Sequence, residues 1–305
     1  MNKVTFDKFD FSKYSNNLVV TDGKIAKLYG IAGANVYLLP EGERAKSFQC
    51  VEALCSWFLQ NKLAVGDTVV AVGGGSIGDT VGFATDIYKR GVNVLHVPTT
   101  LIAQIDSSIG GKTAINLGGV KNAVGSYHFG DTLIDYDFLK TLDGCQMNSG
   151  WGEIIKYAML DDSVCEYYLT ENLPDIIIAC ARYKQRICQN DPYCANERNK
   201  LNFGHTIGHA MELSCGISHG KAVANGLYYE TLLALKLGKC TQAYADKWMK
   251  TVNDNFTVYP LTKEILSFTE QDKKNANGKV CFVLPDAFDK VYLTLQEVED
   301  LLLYA

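Results

Sequence analysis

Val69-Val70-Ala71-Val72, introduced by Thr68, is an unbroken apolar run that ends in Gly73-Gly74-Gly75 and passes directly into a helical pattern over 77–88. A strand with no polar face has to be buried on both sides, the situation of a parallel sheet with helices packed above and below it. The glycines fit G-x-G-x-x-G over 73–78. In such a turn the backbone can come close to a phosphate, and the N–H groups at the helix start attract negative charge. A plain strand–helix turn would use the same residues, so the loop needs support from elsewhere in the chain.

The first half repeats this alternation. Leu18-Val19-Val20 leads into a turn at Thr21-Asp22-Gly23, and 34–40 is a second apolar run closed by a Pro-Glu-Gly turn. Residues 47–62 carry Phe48, Val51, Leu54, Trp57 and Phe58 at helical spacing, and 92–97 reads as the next strand. Strands alternating with helices predict an α/β nucleotide-binding domain with a parallel sheet. From about residue 145 the texture changes. Segments 146–159, 163–189, 198–215, 221–237, 242–253 and 263–270 all have helical spacing, with a late hairpin expected from 279–284 and 291–295. The turn dipeptide Asp143-Gly144 sets the expected boundary, giving an α/β domain over 1–144 and a helical domain over 145–305.

Charge and cysteine use narrow the class. The net charge is −5, and no basic block is longer than Lys89-Arg90 or Lys273-Lys274, so a nucleic-acid partner is not expected. No apolar run approaches the roughly 18–20 residues of a membrane span, so no membrane partner is expected either. The opening MNKVTFDKFDFSKYS alternates polar and aromatic residues, unlike a secretory leader. The ten cysteines are scattered without a CxxC pair, which predicts reduced thiols in a cytoplasmic protein.

Two further segments carry chemistry. QIDSSIGGKTAIN over 104–116, followed by GVKN over 119–122, puts Asp106, Lys112, Lys121 and Asn122 in a glycine-rich loop after a strand. Loops at the carboxyl ends of strands are where open α/β sheets bind ligands. The second is GWGEIIK over 150–156, with NFGHTIGH over 202–209 and Ser218-His219-Gly220. Glu153 and Lys156 share one helical face, as do His205 and His209. Glu153, His205 and His219 could supply the two histidines and one carboxylate of a catalytic zinc site, with a fourth position open. An ordinary helix face accounts for H-x-x-x-H equally well, and the Glu of H-E-x-x-H is absent.

Taken in order, GGGSIGD, KRG, PTTLIAQIDSSIGGKTAIN, GVKN, GEIIKY, LNFGHTIGHA and HGKAVA resemble the 3-dehydroquinate synthase family. These are sugar phosphate cyclases within the glycerol-dehydrogenase-like superfamily, and the resemblance runs from Thr21-Asp22 to Lys273-Lys274, most of the chain. It implies an NAD-binding α/β domain followed by a helical domain that holds Zn2+, with Co2+ as an alternative. By resemblance, Asp22, Glu43, Lys46, Gly74, Gly75, Asp79, Thr99, Thr100, Asp106, Lys121 and Thr141 contact NAD. Glu153, His205 and His219 hold the metal. Lys112, Asn122, Lys156, Arg198, Asn202, His209 and one of Lys273 and Lys274 surround a sugar phosphate substrate, while Arg90 serves the other copy of a homodimer. The implied reaction converts 3-deoxy-D-arabino-heptulosonate 7-phosphate to 3-dehydroquinate and phosphate, with NAD reduced only transiently.

Two positions depart from the family pattern: Gln146 stands where an acid near the cofactor is usual, and Cys194 where an acid precedes Arg198. Other sugar phosphate cyclases, acting on sedoheptulose 7-phosphate or glucose 6-phosphate, share the NAD and zinc apparatus. A zinc-dependent polyol dehydrogenase would share it too, but would release NADH.

Overall fold

The computed structural model describes residues 3–271, 274–285 and 288–304. The chain divides into two compact units. The first comprises Met1–Met147 and Ile177–Tyr193; the second comprises Asn148–Ile176 and Cys194–Ala305. The single cut expected at 144/145 falls close to the end of the first unit's long stretch, and it does not anticipate the return of 177–193.

In the first unit the chain runs β1 (Val4–Phe6), β2 (Leu18–Asp22), α1 (Gly23–Tyr29), β3 (Val36–Leu39), α2 (Phe48–Gln60), β4 (Thr68–Gly73), α3 (Gly75–Ile87) and β5 (Asn93–Pro98). It continues through β6 (Lys112–Leu117), β7 (Val120–Tyr127) and β8 (Asp131–Ile134). Six strands form a parallel sheet in the order β1-β8-β5-β4-β2-β3. Its two faces take alternate residues of β4. Val69 and Ala71 join a core with Leu54, Phe58 and Val81, whereas Val70 and Val72 join another with Val19, Val97 and Phe138. That double burial is why β4 has no polar face. From β2 the chain moves outward to β3, and from β4 it moves the other way to β5. The crevice between the carboxyl ends of β2 and β4 is therefore a topological switch point, the place where such sheets take ligands.

The segment read as a glycine-rich loop is more ordered than expected. A five-residue π-helical turn spans Ala103–Ser107, and β6 and β7 then pair as an antiparallel hairpin with an irregularity between Ile115 and Leu117.

The second unit contains α4 (Gly144–Leu160, entering from the first unit), α5 (Asp162–Tyr168), the start of α6 (Leu173–Asn190), α7 (His205–Cys215), α8 (His219–Lys236), α9 (Gln242–Asn255) and α10 (Lys263–Ser267). The hairpin of β9 (Val280–Val283) and β10 (Lys290–Leu293) and then α11 (Leu295–Leu303) complete it. Ile207, Met211, Leu233, Leu266, Phe282 and Val298 form its core. The expected helix over 163–189 is two helices, separated at 169–172, where Glu171 has a φ of +58°. The expected helix over 198–215 is likewise a 3-10 turn (Glu197–Asn202) and α7, separated at Gly204 with a φ of +78°. Among the described residues no helix is long and apolar enough to cross a membrane, and no disulfide joins any of the ten cysteines.

Candidate active site

In the first unit, α3 is preceded by Gly74, which offers no side-chain cap, so its leading N–H groups keep no side-chain acceptor. The glycines are required by their neighbours. A Cβ on Gly73 would lie 2.6 Å from Ile77, one on Gly74 3.0 Å from Thr100, and one on Gly75 3.1 Å from Ser107. The Thr99 N–H donates to the Gly73 carbonyl at 3.0 Å and ties the loops after β4 and β5 together. The result is an open anion-attracting helix start at the switch point.

Beside it lies a polar network. Lys46, 5 % exposed, donates to Asp79 Oδ2 and to Asn122 Oδ1, each at 2.5 Å. Burial raises the pKa of Asp79 in spite of this lysine. Glu43 accepts from Asn116 at 2.8 Å and from Ser76 at 3.4 Å. The structure thus brings Glu43, Lys46, Asp79 and Asn122 together near the start of α3, although the resemblance assigns Asn122 to the substrate. Asp106 is held by buried Lys184, through its carboxylate and through its carbonyl at 2.6 Å. Lys184 was not singled out in the sequence, because it lies 78 positions from Asp106 on the amphipathic helix α6.

Asp22 ends β2 and caps α1 through the Ile25 N–H at 2.9 Å. Thr141 meets the Tyr29 hydroxyl at 2.5 Å. Lys112 opens β6 and Lys121 lies on β7, both exposed. Arg90 follows α3, whose 13 residues carry it about 20 Å from the glycine turn. It sits in a turn where Lys89, Arg90 and Gly91 all have positive φ.

In the second unit the three expected ligands converge. Glu153 is fully buried, and its Oε1 lies 3.0 Å from His219 Nε2 and 3.4 Å from His205 Nε2. All three donor atoms lie within 4.8 Å of one another. The other ring nitrogens are engaged elsewhere: His205 Nδ1 with the Phe203 carbonyl and His219 Nδ1 with Glu212 Oε2, both at 3.1 Å. These partners turn both Nε2 atoms toward the carboxylate, the usual outer support of a metal-binding imidazole. A tetrahedral ion with bonds of about 2.1 Å separates its ligands by roughly 3.4 Å, so the donor set and its spacing fit zinc or cobalt.

Electrostatics prepare Glu153 and His205 for that use, while His219 would give up a proton on binding an ion. Burial pushes the Glu153 carboxyl up, but Lys156, His205 and His219 outweigh it and hold it well below the usual carboxylate range. Burial, followed by the charge of Lys156, lowers His205 to about 4 and keeps it neutral. Burial also opposes a charge on His219, yet Glu153 and Glu212 raise it to about 9. Lys156, 1 % exposed, pairs with Glu153 Oε2. His209 is exposed, with its ring centroid 5.3 Å from that of His205.

Glycines explain how three helices can meet here, for each ligand adjoins one. A Cβ on Gly152 would lie 2.2 Å from the Gly220 carbonyl oxygen, and one on Gly220 2.3 Å from the Ser149 oxygen. One on Gly226 would lie 1.8 Å from the Gly204 oxygen. Backbone therefore packs on backbone beside Glu153, His205 and His219. Arg198, 2 % exposed, and Asn202 lie in the turn before α7, where Asn202 donates to the Asn199 carbonyl at 3.1 Å. Of the late lysines, Lys274 is half-buried, and Lys273 lies outside the described residues. At the two departures, Gln146 is exposed in the first turn of α4, and Cys194 has a φ of +61° with its thiol 3.9 Å from Asn199 Oδ1.

Sequence models of the 3-dehydroquinate synthase N-terminal and C-terminal domains match residues 36–149 and 150–275. The chain belongs to the 3-dehydroquinate synthase family. A 3-dehydroquinate synthase of Alkaliphilus metalliredigens is 38 % identical over 93 % of this chain and 87 % of its own. One of Clostridium botulinum is 36 % identical over 86 % and 80 %. Among solved structures, a 2-epi-5-epi-valiolone synthase from Streptomyces hygroscopicus with NAD+ and Zn2+ bound is similar with a TM-score of 0.81 and 26 % identity, covering 100 % of this chain and 96 % of that one. A 2-deoxy-scyllo-inosose synthase complexed with carbaglucose-6-phosphate, NAD+ and Co2+ shares the fold, with a TM-score of 0.82 at 22 % identity over 98 % and 95 %. The family's fold, a parallel sheet followed by a helical domain, is the one observed.

Proposed function

We propose that this chain is a 3-dehydroquinate synthase, converting 3-deoxy-D-arabino-heptulosonate 7-phosphate to 3-dehydroquinate and phosphate. The observation that carries the reading is the convergence of Glu153, His205 and His219, with Lys156 buried against them, in a member of this family. The uncapped start of α3 and the Glu43–Lys46–Asp79 network suit the dinucleotide, and the triad suits the divalent ion. When bound, NAD would supply reversible acceptance of the hydride on carbon C5, and the ion would supply acidification of the C5 hydroxyl, which gives up the proton, and polarisation of the ketone.

The chain's own groups bind and orient. Glu212 fixes the His219 ring, and Glu153 keeps its charge because Lys156 and the imidazoles offset its burial. The substrate carries a carboxylate and a phosphate, and Lys156, Arg198, Lys112 and Lys274 are cations suited to both. Asn122, Asn202 and His209 add neutral hydrogen-bonding groups. Asp79 and Asp106 are each engaged by a lysine. That suits a reaction in which the substrate's own phosphate takes the proton next to the new ketone and then leaves with the C–O bonding electrons. Reduction back at C5, ring opening and aldol closure complete the sequence without net oxidation. A homodimer in which Arg90 serves the neighbouring copy, and a cytoplasmic setting for ten cysteines that no disulfide joins, belong to the same reading.

The test is incubation of the zinc-loaded enzyme with the heptulosonate phosphate and a catalytic amount of NAD, following inorganic phosphate and NADH absorbance together. Phosphate without accumulating NADH is expected. NADH accumulating without phosphate would instead identify a polyol dehydrogenase, and turnover only of sedoheptulose 7-phosphate or glucose 6-phosphate another cyclase. Loss of a metal ligand exceeds the ~10–100-fold cost of losing an outer partner, so His205→Ala should lower phosphate release by more than about 100-fold.

A further inference from the structure

Helix α7 begins at His205 itself, and the residue before it, Gly204, has no side chain with which to cap the helix. The leading N–H groups nevertheless have acceptors. Glu230, in the third to fourth turn of α8, is fully buried. Its Oε1 accepts from the Thr206 N–H at 2.9 Å and the Ile207 N–H at 3.0 Å, and its Oε2 accepts from the Gly204 N–H at 2.8 Å. A carboxylate at a helix N-terminus is favourable, but here it comes from a second helix, and that helix opens with the other histidine ligand, His219. Gly204 lies against Gly226 and Gly208 against Ala222, so α7 and α8 run in opposite directions in close backbone contact. The register of that contact sets where each ligand stands. A one-residue slip moves His205 about 1.5 Å along the axis, several times the ~0.2 Å tolerance of a metal–ligand distance. Burial pushes the Glu230 carboxyl up to about 7 in spite of the three donors and the nearby Lys274. The group is thus kept there at a cost that an apolar residue would avoid.

We infer that Glu230 is a positioning residue for the metal centre: by capping α7 from α8 it locks the register of the two helices that present His205 and His219. The inference rests on the reading of the triad as a zinc site. It does not concern the fold as such, and its test separates the two. Purified apo protein is titrated with zinc against a chromophoric chelator, well below the melting temperature of every variant, and its cobalt form is examined for d–d absorption. Wild type should take up one ion and His205→Ala none; failure there sinks the metal reading itself. Glu230→Gln keeps the volume but turns an amide donor toward N–H groups. It should retain the wild-type circular dichroism, bind zinc about 10–100-fold more weakly and show a shifted cobalt band. Glu230→Asp, which keeps the charge but shortens the reach, is the second variant should the glutamine form not fold, and should weaken zinc in the same direction. Val252→Ala, a cavity at a buried position of α9, is the control for stability alone and should bind zinc as wild type does. Wild-type zinc affinity and cobalt spectrum in a folded Glu230 variant would overturn the inference. So would an equal loss of affinity in Val252→Ala.

Discussion

His96 carries its imidazole inside the first unit, 6 % exposed, with Nδ1 facing no hydrogen-bond partner. Burial, followed by the charge of nearby His128, lowers its pKa from 6.5 to about 4. The folded state therefore resists protonation that the unfolded chain accepts. Stability from this residue is complete above pH 6.5 and drains away as pH falls toward 4, to the extent of about 3 kcal/mol. His96→Leu has no such proton to take up, so urea midpoints should fall with pH more steeply for wild type than for the variant; parallel curves would refute the account. Residues of this kind, whose role is set by distant partners, are also the ones that the sequence conceals. Glu153, His205 and His219 were legible because motif and residue type coincide. Glu212 left a trace, standing two turns beyond His205 on the same face. Lys184 and Glu230 left none, since their partners lie 78 and 23–26 positions away.

Between elements, the contacts that decide the site are made by backbone. Gly152→Ala would press a methyl group into the Gly220 carbonyl, 2.2 Å away, and neither partner can rotate aside. Separating α4 from α8 should cost about 3 kcal/mol, at the upper end of ordinary overpacking, and should carry Glu153 away from His219. Gly144→Ala, at the start of the same helix with nothing within 4 Å, should leave both properties intact. Thermal melting and zinc titration of the two variants check this, and a Gly152→Ala protein with wild-type values in both would show that the close approach is dispensable. The sequence displays these glycines beside each ligand, but their purpose emerges only when the helices are placed together. The unbroken apolar run of β4 and the helical spacing of α2 and α8 were legible for the opposite reason: their burial pattern is written locally. Strand β7 was not, because it is exposed along most of its length and has no alternating apolar face. The break between α5 and α6 has a local mark that the reading of one helix over 163–189 passed over: Pro174 stands in the first turn of α6, where a proline starts a helix rather than continues one.

At the level of the whole chain, the shift in composition near residue 145 marks one crossing between the units, while the crossing at 176/177 passes inside α6, where the helical spacing simply continues, and the one at 193/194 follows Asp191-Pro192 just after that helix. The two ligand-binding chemistries nevertheless fall in different units: the glycine turn and the Lys46 network in the first, the metal triad in the second. Each ligand should therefore stabilise its own unit by mass action, by about 2.7 kcal/mol at one hundred times its dissociation constant. Hydrogen exchange followed by mass spectrometry can resolve this. NAD without metal should slow exchange in β4, α3 and the turn after β5, and zinc without NAD should slow it in α4, α7 and α8. A chelator should reverse the second pattern and leave the first. The prediction is strict because the donors are so placed: Glu153, His205 and His219 all lie within the second unit. Zinc protection appearing first in the sheet, with α7 and α8 unchanged, would mean that the ion is held by other groups, and the assignment of Glu153, His205 and His219 would fall with it.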